Sequence, residues 1–265
     1  MTQKNKEINI NEVYLWDCLE IMKSIPDGSI DCIITDPPYW TTACKWDTVI
    51  PFDKMWEQLK RIIKPNGAIV LFGSEPFSSA LRMSNIKNYK YDWIWVKTKK
   101  TGFTNAKNRP LSNYEIVSVF SEGTAANCSP KRMPYNPQGL ELLNKVRKGG
   151  KNKSKGDDIG HSYYRPSQDN DYNQEYTNYP VNVLCFANEG KTVHPTQKPV
   201  ALIEYLIRTY TNEWETVLDF TIGSGTTAIA CINTNRNYIG FELDKWYFDI
   251  ANERIKNHLN TYWKY

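Results

Sequence analysis

The sequence predicts an α/β protein built on a mostly parallel sheet with helices on both faces. Two observations carry this. Short β-branched runs alternate with amphipathic helical segments over most of the chain, and several of the runs end in an acidic residue. Alternation of this kind joins strands by crossover helices, and a parallel sheet must be covered on both sides. Ligands in such sheets sit at the carboxyl ends of the strands, where the strand order reverses. Asp17, Asp36, Asp219 and Glu242 are therefore expected at one site.

Taken in order, residues 13–16 and 30–35 read as short buried strands that run into Asp17 and Asp36. Phe52, Met55, Trp56, Leu59, Ile62 and Ile63 share one helical face, and Pro65-Asn66-Gly67 should stop that helix. Residues 68–72, 93–96 and 116–120 return to strand, the last two joined by a basic loop. From 121 to 188 the periodicity disappears into a stretch rich in Gly, Pro, Asn, Lys and Tyr, far longer than an ordinary connection. Such a stretch is either disordered or a functional insertion, and Tyr163, Tyr164, Tyr172, Tyr176 and Tyr179 favour the insertion. Helical spacing resumes with Pro199, Leu202, Ile203, Leu206, Ile207 and Tyr210. A strand at 216–220, a helix at 226–233, a strand at 238–242 and a last helix lined by Tyr247, Ile250, Ala251 and Ile255 complete the pattern.

Composition narrows the class. At 265 residues and 40% hydrophobic, the chain is long and apolar enough to bury a substantial core, which excludes a disordered protein. No apolar run approaches the ~20 residues of a membrane span, and MTQKNKEINI lacks the apolar stretch of a secretory signal, so a cytoplasmic protein is expected. The six cysteines show no CxxC spacing, and no metal is expected. A net charge of +4 says little, but its distribution says more. Lys87, Lys90, Lys97, Lys99, Lys100, Lys107 and Arg109 face only Asp92, and a second run begins with Lys131 and Arg132. Both runs are interleaved with aromatic rings such as Trp93, Trp95, Phe103 and Tyr135, the combination a nucleic-acid groove requires. Lys97, Lys99, Lys100, Lys107, Arg109, Lys131 and Arg132 are the candidate phosphate contacts.

Two constellations carry chemistry. Asp219-Phe220-Thr221-Ile222-Gly223-Ser224-Gly225-Thr226-Thr227 leaves a strand and enters a helix. Its glycines let the backbone turn tightly against a ligand, and Thr226 can cap the helix. Glu242, at the end of the following strand, can accept both hydroxyls of a ribose. This pattern alone fits a nicotinamide cofactor as well as S-adenosylmethionine. The second constellation, Asp36-Pro37-Pro38-Tyr39, follows a β-branched strand and is stiffened by its prolines. A carboxylate, a carbonyl and a flat ring held together can grip a planar amino group, draw its nitrogen toward tetrahedral geometry and aim its lone pair at an electrophile. A dehydrogenase would leave these four residues unexplained.

Together the two motifs resemble those of the DNA methyltransferases that methylate amino groups. Their order, tetrad before glycines with the long insertion between them, resembles the circularly permuted β group. The resemblance implies a Rossmann-like methyltransferase fold with a mostly parallel seven-stranded sheet. Residues 1–120 would form its catalytic half, 121–190 an inserted target-recognition region and 191–265 its cofactor half. It implies S-adenosylmethionine in a pocket lined by Asp219, Phe220, Gly223, Ser224, Gly225 and Thr226, with Glu242 on the ribose and Asp17, beside Cys18, toward the adenine. His194-Pro195-Thr196-Gln197-Lys198-Pro199 is similar to a family segment in which Thr196 and Lys198 would serve the methionine carboxylate. One departure is clear: the family usually carries Asp-Pro-Phe before the glycines, whereas Phe220 here stands one place early.

The resemblance further implies duplex DNA as partner and a monomer or homodimer. The target base would be extruded and stacked on Tyr39 and Trp40. Asp at the head of the tetrad is usual in adenine-N6 enzymes, and cytosine-N4 is the alternative. An RNA or protein-glutamine methyltransferase, where the tetrad commonly begins with Asn, and a catalytically silent DNA-binding module are more distant readings. No Pro-Cys dipeptide is present for a carbon-methylating thiolate.

Overall fold

The computed structural model describes residues 7–39, 49–127, 129–148, 171–190, 192–193 and 197–262. Trp40 and Thr196, both expected at the site, lie outside the described residues. The chain divides into two compact units, 1–136 with 182–265, and 137–181. Residues 121–136 and 182–190, grouped with the insertion on sequence grounds, fold with the larger unit.

The strands are β1 (Glu12–Leu15), β2 (Ile30–Thr35), β3 (Ile63–Gly73), β4 (Tyr89–Thr101), β5 (Ser112–Phe120), β6 (Glu141–Arg147), β7 (Tyr172–Thr177), β8 (Val183–Cys185), β9 (Thr216–Asp219) and β10 (Asn237–Glu242). The helices are α1 (Cys18–Ile21), α2 (Phe52–Ile62), α3 (Phe77–Ser84), α4 (Val200–Tyr210), α5 (Thr226–Asn233) and α6 (Lys245–Tyr262). In the larger unit eight strands form one sheet in the order β1-β10-β9-β2-β3-β5-β4-β8. Only β5 runs antiparallel to its neighbours. The smaller unit holds the antiparallel pair β6 and β7.

The sheet thus has one strand more than the seven expected. β8 is the addition. It pairs parallel with the edge of β4, where Ile94 N donates to Asn182 O at 2.8 Å and Trp95 Nε1 donates to Phe186 O at 2.9 Å. Three residues in a segment without periodicity gave no strand signal.

Alternation along the central strands explains why they read as continuous apolar runs. Cys32, Ile34, Val70, Phe72 and Val217 point into one core with Leu202, Ile203 and Leu206 of α4, Ala228 of α5 and Ile255 of α6. Their neighbours Ile33, Ile69, Leu71 and Leu218 point into the opposite core with Met55, Trp56 and Leu59 of α2 and Leu81 of α3. Both faces are buried, so successive positions at 32–34 and 68–72 are apolar.

α2 ends at Ile62, three residues before the expected stop. Lys64 precedes Pro65, which disfavours helical backbone there, and Ile63 is already extended at φ −70, ψ 139. A Cβ on Gly67 would lie 2.9 Å from the Asp31 carbonyl, so glycine lets β3 close against β2. At the far edge β1 lies beside β10, with Asn11 N donating to Tyr238 O at 2.6 Å. β1 is therefore laid against β10, the arrangement a permuted order needs.

Candidate active site

The strand order reverses between β9 and β2, and their tips are stitched together. Thr35 Oγ1 donates to Asp219 Oδ1 at 2.8 Å and accepts from Phe220 N at 3.0 Å. Thr221 Oγ1 donates to the Asp36 carbonyl at 3.1 Å. Asp219 also receives Thr227 Oγ1 at 2.6 Å and Thr221 N at 3.2 Å, so its carboxylate closes the turn on itself. Burial pushes its pKa up to about 6 against the pull of those donors.

Gly223 and Gly225 take the left-handed backbone, at φ 54 and 82. A Cβ on Gly225 would meet Ala251 of α6 at 3.2 Å. Gly223 N donates to Glu242 Oε2 at 2.9 Å and Asp244 N to Oε1 at 2.8 Å, so the carboxylate is held by main-chain donors at the rim of the cleft. Burial raises the pKa of Glu242, with those backbone bonds opposing. Thr226 does not cap α5 as expected: Gly225 is the N-cap and makes no side-chain bond. Arg254 of α6 serves the turn instead, its Nη1 donating to Ser224 O at 2.5 Å and Ser224 Oγ at 2.9 Å.

Beyond β2, Asp36 is built differently. Its Oδ2 lies 2.5 Å from Lys198 Nζ, which also reaches Glu115 Oε2 at 3.1 Å, and Glu115 Oε1 lies 3.0 Å from Lys97 Nζ. Asp36 Oδ1 is buried with no donor at hydrogen-bond distance among the described residues, and the Tyr39 hydroxyl lies close enough to the carboxylate to help lower the Asp36 pKa. Burial raises the pKa of Asp36, and Lys198 is the main force pulling it back. Burial works against the charge on Lys198, but Asp36 and then Glu115 hold its pKa well above the ordinary value. The Tyr39 ring packs on Phe77 with centroids 5.3 Å apart, and burial, then Asp36, raises its hydroxyl pKa well above the ordinary value.

Both constellations face one cleft of about 370 Å³. Asp36, Pro37, Pro38 and Tyr39 line it on one side, and Asp219, Gly223, Ser224, Thr226 and Glu242 on the other. Asp17 and Cys18 line one end with Trp16 and Leu243, and Lys198 also borders the cleft. Gly225 sits outside this lining, against Ala251. Phe220 touches the cleft, but its side chain is 1% exposed among Leu218, Phe241 and Ile33, so its ring offers no free face for stacking. Thr221, where the family has the aromatic residue, holds Asp36 instead.

Lys97, expected among the phosphate contacts, has a side chain that is 13% exposed and ion-paired to Glu115. Lys99, Lys100, Lys107, Arg109, Lys131 and Arg132 are exposed. The sequence reading missed Glu115, Thr35, Thr221, Thr227 and Arg254. Glu115 had a signal, a lone carboxylate entering an otherwise apolar strand run, but nothing named its partner.

The described residues include no group of three or more His, Cys, Asp or Glu side chains able to hold a metal ion. None of the described helices is long and apolar enough to cross a membrane.

Residues 30–253 match the DNA methylase family of N6 and N4 type. The chain belongs to this family, in its permuted, DPPY-bearing group. It is 29% identical over 264 residues to the type II methyltransferase M.HpaI of Haemophilus parainfluenzae, covering 93% of this chain and 74% of that protein. It is 26% identical to M1.MboII of Moraxella bovis, covering 92% and 96%. Among solved structures, the M1.HpyAVI complex with S-adenosylmethionine matches with a TM-score of 0.60 at 28% identity, over 92% of this chain and 98% of that one. The cytosine-N4-specific PvuII methyltransferase matches with a TM-score of 0.62 at 17% identity, a likeness of fold alone. This methylase is an S-adenosylmethionine-dependent enzyme acting on DNA. The cleft suits that cofactor: Gly223, at positive φ, leaves room along its wall, a carboxylate stands at its rim, and exposed Trp16 and Leu243 flank Asp17 at one end.

Proposed function

We propose that the enzyme methylates the N6 amino group of adenine at specific sites in duplex DNA. The observation that supports this best is Asp36, whose Oδ1 accepts no hydrogen bond among the described residues, in the lining of a cleft whose opposite wall is the glycine turn. An amino nitrogen on a base is a poor nucleophile because its lone pair is delocalised. With one hydrogen on Asp36 Oδ1 and the other on the Pro37 carbonyl, the nitrogen is rehybridised and its lone pair is aimed across the cleft. Glu242 would hold the cofactor ribose, with Asp17 and Cys18 beside its adenine. Bound S-adenosylmethionine supplies the electrophilic methyl group. Tyr39 stacks on the extruded base, on the order of 1–3 kcal/mol by comparison with other base–aromatic contacts.

Asp36 at the head of the tetrad favours adenine. The fold does not discriminate, since a cytosine-N4 enzyme shares it. Several relatives are type II methyltransferases and one is an orphan methyltransferase, so a restriction–modification setting fits without requiring a cognate nuclease. A cytoplasmic location fits a DNA substrate. Within the stretch 121–190, the smaller unit 137–181 serves target recognition, with β6 and β7 presenting Lys145, Arg147 and Tyr172 on exposed strands.

The test is to incubate the protein with labelled methyl donor and unmethylated duplex, digest the DNA and identify the labelled nucleoside. N6-methyladenine is the expected product. N4-methylcytosine would reverse the choice of base, and label found only in RNA or protein would overturn the substrate class.

A further inference from the structure

The geometry points to Lys198, set between Asp36 and Glu115, as a positioning residue: it clamps one oxygen of Asp36 so that the other is presented to the amino group. This rests on the adenine-methylating role given to Asp36 above. The family resemblance assigns Lys198 to the methionine carboxylate instead, so the two assignments make opposite predictions.

Four side chains from four places in the fold alternate in charge. Asp36 follows β2, Lys198 precedes α4, Glu115 lies in β5 and Lys97 in β4. The four charges sum to zero, as those of a buried set of ions must nearly do. The Lys198 side chain is 7% exposed and its ammonium lies 5.2 Å from the Phe72 ring centroid, which further restricts where it can go. If Lys198 left to meet another carboxylate, Asp36 would lose its one ion-pair partner among the described residues in a buried site, and Glu115 would be left to Lys97. The cost of uncovering buried charge opposes that movement. The clamp also explains the asymmetry at Asp36, where Oδ2 is bound at 2.5 Å and Oδ1 accepts no hydrogen bond among the described residues. A carboxylate held by one oxygen cannot rotate freely, so its free oxygen has a fixed direction.

The groups facing Asp36 are Lys198, Glu115 and Tyr39, with Asp219 on the neighbouring tip. Lys198 lowers the pKa of Asp36 and Glu115 raises it. Neutralising them should therefore shift Asp36 in opposite directions, a result that loss of packing alone does not produce.

Lys198→Met, Lys198→Arg and Glu115→Gln should be compared with wild type by three measurements: cofactor affinity by calorimetry, single-turnover methylation of duplex DNA against pH, and the pH titration of the Asp36 side-chain carboxyl carbon by NMR. Lys198→Met is expected to slow transfer about 100-fold at neutral pH and to move both the acid limb of the rate profile and the Asp36 titration to higher pH. Its cofactor affinity should stay within about threefold. Glu115→Gln should move both curves to lower pH, and Lys198→Arg should bring them back toward wild type. A tenfold or larger loss of cofactor affinity in Lys198→Met, with the Asp36 titration unmoved, would overturn the clamp in favour of the methionine carboxylate. Should Lys198→Met not fold, the shifts in Lys198→Arg and Glu115→Gln decide, and no shift in Glu115→Gln would count against the clamp. If the wild-type enzyme proved not to methylate adenine, the function reading would fall while the NMR titration still decided whether Lys198 governs Asp36.

Discussion

The two walls of the cleft are held by opposite means. On the cofactor wall every carboxylate is occupied by neutral donors: Asp219 by two hydroxyls and a main-chain N–H, Glu242 by two main-chain N–H groups. On the catalytic wall Asp36 is held through one oxygen by a buried ammonium, and its other oxygen accepts no hydrogen bond among the described residues. The first wall is finished as a shape. The second keeps one valence for the substrate. Binding a cofactor requires a rigid surface with its own polar groups satisfied, whereas activating an amine requires an acceptor that gains its partner only when the base arrives.

The sharpest way to break this contrast is Asp36→Ala. Methyl transfer is expected to fall by at least about 1,000-fold in single-turnover assays, while calorimetry shows cofactor affinity within about threefold of wild type. Loss of both would mean that the two walls are not separable and that Asp36 supports the cofactor side as well.

Gly225→Ala attacks the other wall. Its backbone sits at φ 82, and the new methyl would press on Ala251 at 3.2 Å. A left-handed non-glycine residue costs roughly 1–2 kcal/mol, and the contact adds to it. The turn should shift, weakening cofactor binding at least tenfold and lowering the melting temperature. Unchanged affinity would show that the turn does not shape the pocket. Gly240→Ala is expected to act from beneath, because its Cβ would lie 2.4 Å from Ile222 Cδ1 in the same turn. Overpacking of this kind costs about 1–3 kcal/mol.

The glycines around this turn show what was legible beforehand and what was not. Gly223 and Gly225 announced themselves, because a strand, a glycine turn and a helix in that order have few other uses. Gly240 did not, since its reason is a side chain 18 positions earlier that the sheet brings beneath it. The same division runs through the site. Asp36, Asp219 and Glu242 were readable because strand tips on one edge of a parallel sheet converge by topology. Thr35 and Thr227 were not, because hydroxyls that knot adjacent strand tips carry no periodicity. β2 and α5 were readable to their ends from apolar pattern alone. α3 was passed over: Phe77, Ser78 and Leu81 are its buried positions, too few to set a period in eight residues. The Lys97–Glu115–Lys198–Asp36 chain was hidden for the same reason as Thr35, being assembled from residues separated by up to 162 positions.

Asp219 supplies a pH test of the cofactor wall. Its native pKa of about 6 exceeds the ordinary 3.8. Between these values the native protein holds a proton that the unfolded chain has released, so this residue's contribution to stability declines as pH rises from about 4 to 6 and levels off above. A shift of that size corresponds to about 3 kcal/mol at full development. Asp219→Asn lacks the titration. The melting temperature of wild type minus that of the variant should therefore fall as pH rises through this window. A difference that does not change with pH would mean that the three donors, rather than burial, set the ionisation of Asp219.

The smallest effect separates neighbouring lysines on β4. Lys97 turns inward to Glu115 in the catalytic wall, whereas Lys99 and Lys100 are exposed where the strand runs on toward its end. If the exposed pair meets DNA phosphates, Lys99→Ala with Lys100→Ala should weaken duplex binding and flatten the dependence of log affinity on log salt by about 2, close to one counterion for each lysine. Transfer from the bound complex should be nearly unchanged. Lys97→Met should do the reverse, leaving the salt slope intact while altering the pH dependence of transfer through Glu115 and Lys198. Three lysines within four positions would then separate by side-chain direction alone, the outer two acting on association and the inner one on the ionisation of the catalytic carboxylate. A salt slope that responds equally to all three would instead place Lys97 at the DNA and take Glu115 out of the catalytic wall.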